Sequence, residues 1–298
     1  MATIVTTYPT EAEWLKARLD GITSSDAPII LGVSPYRNTS PLQLYATKLG
    51  LMEPDASESE AMYWGKELEP IVAKRYELET GRALQDPGRW AIQVHRDREW
   101  MLATVDREIV EIDSYGILEI KTTGAHLADR WDDEPPLHVQ VQLQHQLAVT
   151  GCSWGSIACL IGGQKFVWAD VKRNPRFISL LIEREEEFRY RLQKLDPPPA
   201  TADSLSALAV LYPKDTGEIV ELPEAAVEWD RCYREALDTI KNAEGARDEA
   251  KALLQAALGD ASVGRLPGGG GYSWKQSTGT RKAAEAYTYT YRALRRIK

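Results

Sequence analysis

The sequence holds few of the residues that build soft-metal sites. Its three cysteines, Cys152, Cys159 and Cys232, are too far apart for a CxxC ligand pair. An iron–sulfur cluster needs four cysteines, so the three read as core thiols of a reducing cytoplasm. The four histidines show neither HExxH nor HxxxH spacing, which argues against a zinc site. No apolar run reaches the ~18 residues of a membrane span. The opening MATIVTTYPTEAEW has no basic start followed by an apolar stretch, so a secretory signal is not expected either. Any bound metal is expected to be a hard cation held by carboxylate oxygens.

The chain is acidic, with net charge −8 over 298 residues, yet the charge is unevenly placed. Residues 261–298 carry Arg265, Lys275, Arg281, Lys282, Arg292, Arg295, Arg296 and Lys298 against the single acid Glu285. That segment is +7 and the remainder −15. A basic tail on an acidic body is one way to present a phosphate-binding surface, and also what a solvated terminal helix looks like.

The chain divides at KLDPPPATADS, residues 194–204, where three prolines cannot continue a helix. Residues 1–195 are expected to form one domain, 196–204 a linker, and 205–298 a helical arm with a glycine-rich hairpin and a basic tail. Before the prolines, helical patterns at 11–20, 60–79, 138–150 and 175–194 are interleaved with strand patterns at 89–122 and 155–171. This mixture predicts an α/β or α+β core. After the prolines, Trp229, Ala236, Ala243, Ala250 and Ala257 recur every seven residues. That seam suits a close-packed helix pair or an amphipathic helix lying on its own domain. GRLPGGGGYSWKQ reads as a hairpin tip.

The strand-like GILEIKTT, residues 116–123, sets Glu119 and Lys121 on one face of an otherwise apolar strand. Such a pair can be a solvated edge, or a carboxylate for a metal beside a lysine for water or phosphate. Asp106 lies upstream, giving D-x(12)-ExK, with the turn signal Asp113-Ser114-Tyr115-Gly116 between. A two-residue turn at Ser114-Tyr115 would set Glu119 opposite Val110. A bend or bulge is therefore expected to return Glu119 to Asp106.

Three further stretches accompany this pattern: WLKARLDGITSSDAPIILGVSPYRN (14–38), WGKELEPIVAKRYELETG (64–81) and VQVQLQHQLAVTG (139–151). In this order, over roughly residues 10–195, the chain resembles the YqaJ-type viral recombinase (phage lambda exonuclease) family of the PD-(D/E)xK nucleases. The resemblance implies a restriction-endonuclease-like α/β core, a mixed central sheet flanked by helices, with a mainly helical C-terminal extension. It implies metal binding by Asp106, Glu119 and the Ile120 carbonyl, with Glu69 positioning water. Lys121 would be the catalytic lysine, Gln142 would lie over the site, and Arg18 and Ser25 would grip a 5′-phosphate. It also implies Mg²⁺ or Mn²⁺, two ions per site, and digestion of the 5′-ended strand of duplex DNA ends. A ring-shaped homotrimer, a single-strand annealing partner and a phage or prophage origin complete the expectation.

Each residue also has a plainer reading. Glu69 could pair with Lys66 or Lys74, and Arg18 with Glu11 or Glu13. Gln142 could belong to a polar helix face, and Ser25 could cap a helix starting at Asp26. Family members usually place proline before and glycine after the aspartate, where this chain has Val105 and Arg107. An endonuclease on the same core and a non-catalytic DNA-end-binding module are the rival functions.

Overall fold

A computed structural model describes residues 4–36, 39–52, 59–111 and 115–278. The chain separates into two compact units, Met1–Pro213 and Lys214–Lys298. The first unit begins with β1 (Ile4–Thr7), α1 (Glu11–Leu19), β2 (Ile22–Thr23), α2 (Ala27–Ile30), α3 (Pro41–Lys48) and α4 (Glu60–Thr80). Five strands follow: β3 (Ala83–Gln85), β4 (Ala91–His95), β5 (Arg98–Ala103), β6 (Arg107–Val110) and β7 (Tyr115–Thr123). Next come α5 (Leu137–Thr150), β8 (Trp154–Ile161), β9 (Lys165–Lys172), α6 (Pro175–Lys194) and α7 (Leu205–Leu211).

Two sheets form. One has the order β1-β4-β5-β2; the other, β3-β6-β7-β8-β9, is antiparallel except for the β7–β8 pair. Parallel neighbours need a crossover, and α5 supplies it. Alternation along β7 decides what each face meets. Ile117 packs with Leu143 and Leu147 of α5, whereas Leu118 and Ile120 pack with Val72, Ala73 and Tyr76 of α4. The strand is thus covered on both sides, and Glu119 and Lys121 share the α5 face with Ile117.

The β6–β7 register departs from the two-residue turn read in the sequence. Val110 pairs with Tyr115 and Arg107 with Leu118, so one step further Asp106 is level with Glu119 and no bulge is required. Tyr115 and Gly116 belong to the strand. Gly116 is small for a packing reason: a Cβ there would lie 2.8 Å from the Trp154 ring.

The expected helices and strands of residues 11–194 are present to within a residue or two at most ends. α4 ends as its sequence suggests, on Gly81 in the left-handed conformation at φ 71°. Sequence reading missed α3, although Ser40 and Gln43 form a full capping box at its start.

The division of the chain falls later than the proline-rich segment. Residues 205–211 belong to the first unit because Ala207 of α7 is buried with Leu42 and Tyr45 of α3, with Leu208 and Leu211 against them. The second unit holds α8 (Ala225–Leu258) and the hairpin β10 (Val263–Arg265) and β11 (Gly271–Ser273). α8 contains the whole seven-residue recurrence from Trp229 to Ala257, with no buried residue along it. Cys152 and Cys159 are core thiols as expected, whereas Cys232 on α8 is exposed. The basic run from Arg281 onward lies outside the described residues. Among the described residues, no helix is long and apolar enough to cross a membrane.

Candidate active site

One cleft of about 770 Å³ in the first unit is bordered by Arg18, Ser25, Glu69, Asp106, Glu119, Ile120, Lys121 and Gln142. Every site residue named from the sequence is therefore on its wall. At its centre Asp106, just before β6, accepts a hydrogen bond from the Ile120 amide through Oδ2 at 2.7 Å. Glu119 is only 1% exposed and its carboxylate is held from three directions. Lys121 Nζ and Gln142 Nε2 donate to Oε1, the latter at 2.6 Å, and Gln146 Nε2 donates to Oε2 at 2.6 Å. Gln142 and Gln146 lie four apart on α5, so both project from the face that covers β7.

Gln146 was not foreseen from the sequence, although the one-turn spacing from Gln142 carried the signal. Its Nε2 is shared with the Thr104 carbonyl at 3.0 Å, and its Oε1 is buried without a partner among the described residues. Gln144, between them, points elsewhere: it donates to the Lys172 carbonyl and accepts from the Asn174 amide.

The plainer pairings do not form. Lys66 reaches Glu11, Lys74 reaches Glu77, and Glu69 is instead bound by Arg107 Nη1 at 2.6 Å. Glu13 takes the Thr10 hydroxyl rather than Arg18. Arg18 stacks on Trp14 at 4.4 Å and donates to Ser25 Oγ at 3.0 Å. Ser25 caps no helix; α2 begins after Asp26, whose Oδ2 accepts from the Thr23 amide. Lys48 fixes this corner from beneath, bound to Asp26 at 2.7 Å and to the Arg18 and Gly21 carbonyls at 2.8 and 2.6 Å.

The electrostatics separate a proton-seeking acid from a held cation. Burial pushes the Asp106 carboxyl well above its usual range. The negative charges of Glu119 and Glu69 add to this, against the pull of Lys121 and the Ile120 amide. For Lys121, burial favours the neutral amine, but Glu119 and Asp106 together outweigh it and its pKa is raised. Among the described residues no three His, Cys, Asp or Glu side chains converge into a preformed ion cage. The donor chemistry still fits a hard divalent cation. The cleft walls offer carboxylate oxygens and neither imidazole nor thiol, and like charges crowd around Asp106.

Residues 13–153 match the family model of the YqaJ-like viral recombinase domain. The chain is 41% identical over 179 residues to the uncharacterized protein YqaJ of Bacillus subtilis (strain 168). That match covers 59% of this chain and 54% of the relative, so the chain spans about half the relative's length. Among solved structures, it is similar to an alkaline exonuclease from Laribacter hongkongensis, LHK-Exo, with a TM-score of 0.51 at 22% identity. This covers 62% of the present chain and 94% of the exonuclease; the same enzyme in complex with dAMP gives a TM-score of 0.50. At such identity the likeness establishes the fold, a mixed α/β core of the kind seen in those structures. Residues 13–153, just under half of the chain, are thus similar to the YqaJ-like viral recombinase domain family.

Proposed function

We propose that this protein is a divalent-metal-dependent deoxyribonuclease that degrades the 5′-ended strand of linear duplex DNA, leaving a 3′ single strand. The observation that carries this reading is the single cleft. It joins the Asp106, Glu119 and Lys121 cluster to the Arg18–Ser25 pair, so chemistry and end recognition share one cavity.

Asp106, Glu119 and the Ile120 carbonyl would hold Mg²⁺ or Mn²⁺, two ions when the site is filled. When bound, the metal supplies an activated water and neutralises phosphate charge. The chain's own groups do the rest. Gln142 and Gln146 fix both oxygens of Glu119, so the carboxylate cannot swing away. Lys121, held as a cation between two acids, stabilises the charge that builds on the phosphodiester oxygens. Glu69 orients the attacking water. Arg18 and Ser25 bind the 5′-terminal phosphate by charge-assisted hydrogen bonds and set the register of the strand.

The family reading brings assembly into a ring and transfer of the 3′ strand to a single-strand annealing protein. The second unit, with Arg265 and Lys275 near its hairpin, serves in this scheme as an arm contacting duplex DNA. The direct test compares linear duplex with covalently closed plasmid in Mg²⁺, using wild type and Lys121→Ala. Linear DNA lost, plasmid spared and the variant inert are the expected results. Cutting of the closed plasmid would replace this reading with an endonuclease, and DNA bound but uncut would replace it with an end-binding module.

A further inference from the structure

Arg107 directly follows Asp106, so strand alternation turns its side chain to the other face of β6, level with Leu118. That is the face α4 covers. There Nη1 donates both to Glu69 Oε1 and to the Asp106 carbonyl. The side chain is 14% exposed and forms part of the cleft wall. Nε and Nη2 make no hydrogen bond among the described residues. A guanidinium presents five donors in a rigid fork matched to phosphate, and here one nitrogen anchors the group while the others are unused.

The other cations of this wall are differently placed. Arg18 is bound to Ser25, Lys66 to Glu11 and Lys121 to Glu119, and Arg89 lies over the Trp90 ring at 4.8 Å. Arg107 is a fixed, charged fork adjacent in the chain to the acid that the nuclease reading assigns to the metal. Its charge is balanced locally by Glu69, so it adds a phosphate-seeking group without a net positive charge beside the metal position.

We infer that Arg107 is a further phosphate-binding residue, bridging Glu69 and a non-bridging oxygen of the phosphodiester that lies beside Asp106. The inference rests on the nuclease reading. Glu69 fixes the fork through Nη1, and the strand takes Nε and Nη2. Substrate phosphate and the water-orienting carboxylate are thereby tied to one another.

The test is anisotropy binding of a short, blunt, 5′-phosphorylated duplex in EDTA across a salt series, where no cleavage occurs. Arg107→Gln keeps a donor toward Glu69 but removes the charge. It is expected to weaken binding about ten- to a hundredfold. The slope of log affinity against log salt should become shallower by about one phosphate contact. Arg107→Lys should recover the slope and only part of the affinity, because an ammonium cannot fork. Wild-type affinity and slope in Arg107→Gln would overturn the inference and leave Arg107 a structural pin for Glu69. Failure of the wild-type protein to bind DNA would remove the nuclease reading and this inference with it.

Discussion

Gln146 donates to the oxygen of Glu119 that Lys121 and Gln142 leave open, at 2.6 Å and fully out of solvent. Glu119 is thus a carboxylate with each oxygen tied to the helix that covers it. Removing Gln146 strands a buried acceptor, a loss of about 1–3 kcal/mol. Gln146→Ala is expected to lower kcat roughly ten- to a hundredfold. Gln144→Ala, which loses only contacts to Lys172 and Asn174, should lower the unfolding midpoint while leaving kcat near wild type. Equal kcat losses in the two variants would contradict the assignment.

Lys48 is predicted to govern the end-binding corner without touching DNA. Its side chain is 4% exposed and holds Asp26 and two carbonyls of the segment carrying Arg18 and Gly21. Breaking such a buried pair costs about 3–5 kcal/mol. Lys48→Met should show that loss in denaturant unfolding, together with reduced preference for 5′-phosphorylated over 5′-hydroxyl ends. An unchanged midpoint would show that the clamp is dispensable.

A pH dependence of stability follows from His145, which is buried with Glu185, both 0% exposed. Nδ1 meets Glu185 Oε1 at 2.7 Å and Nε2 meets the Leu102 carbonyl at 3.0 Å, so a doubly protonated ring satisfies both acceptors. Burial alone lowers the pKa, but Glu185 and the Leu102 carbonyl outweigh it and the folded-state value is raised. A raised value stabilises the fold fully below the unfolded pKa of about 6.5 and loses that contribution as pH rises through the folded value. The midpoint difference between wild type and Glu185→Gln should therefore shrink as pH is taken upward from about 6. A difference independent of pH would contradict a charged pair.

The boundary between the two units gives a fourth prediction. A chain ending at Pro213 keeps α7 on α3, whereas one ending at residue 204 strips Ala207, Leu208 and Leu211 from Leu42 and Tyr45. The shorter chain should be less stable by at least about 2 kcal/mol. Equal unfolding midpoints would place α7 outside the fold. The longer truncation is also the one in which to measure whether residues 214–298 contribute to DNA binding.

Much of the site was legible because its signals are local. D-x(12)-ExK fixes the spacing of the acids, and Glu69 and Gln142 each lie on a helix whose extent the sequence marks well. The hairpin register was not legible. Asp113-Ser114-Tyr115-Gly116 has turn chemistry, but the glycine answers to the Trp154 ring from a distant strand, and no local rule sees that contact. The prolines misled for a similar reason. They interrupt the helix pattern, yet apolar residues beyond them still find the core. The helical-neighbour partners that are the plainer readings of Glu69 and Arg18 do not form. The fold brings Arg107 to Glu69, which no local spacing signals, and Ser25 to Arg18, a pairing that the resemblance had implied.

The most direct measurement is strand-resolved digestion of linear duplex DNA in Mg²⁺, with 5′-phosphorylated and 5′-hydroxyl ends compared for wild type and Arg18→Ala. Loss of the 5′-phosphorylated strand, slower from hydroxyl ends, with that difference erased in Arg18→Ala, is the predicted result. Equal rates from both ends in wild type, or digestion of the 3′-ended strand, would contradict a cleft in which the Arg18–Ser25 corner presents a 5′ end to Asp106 and Glu119.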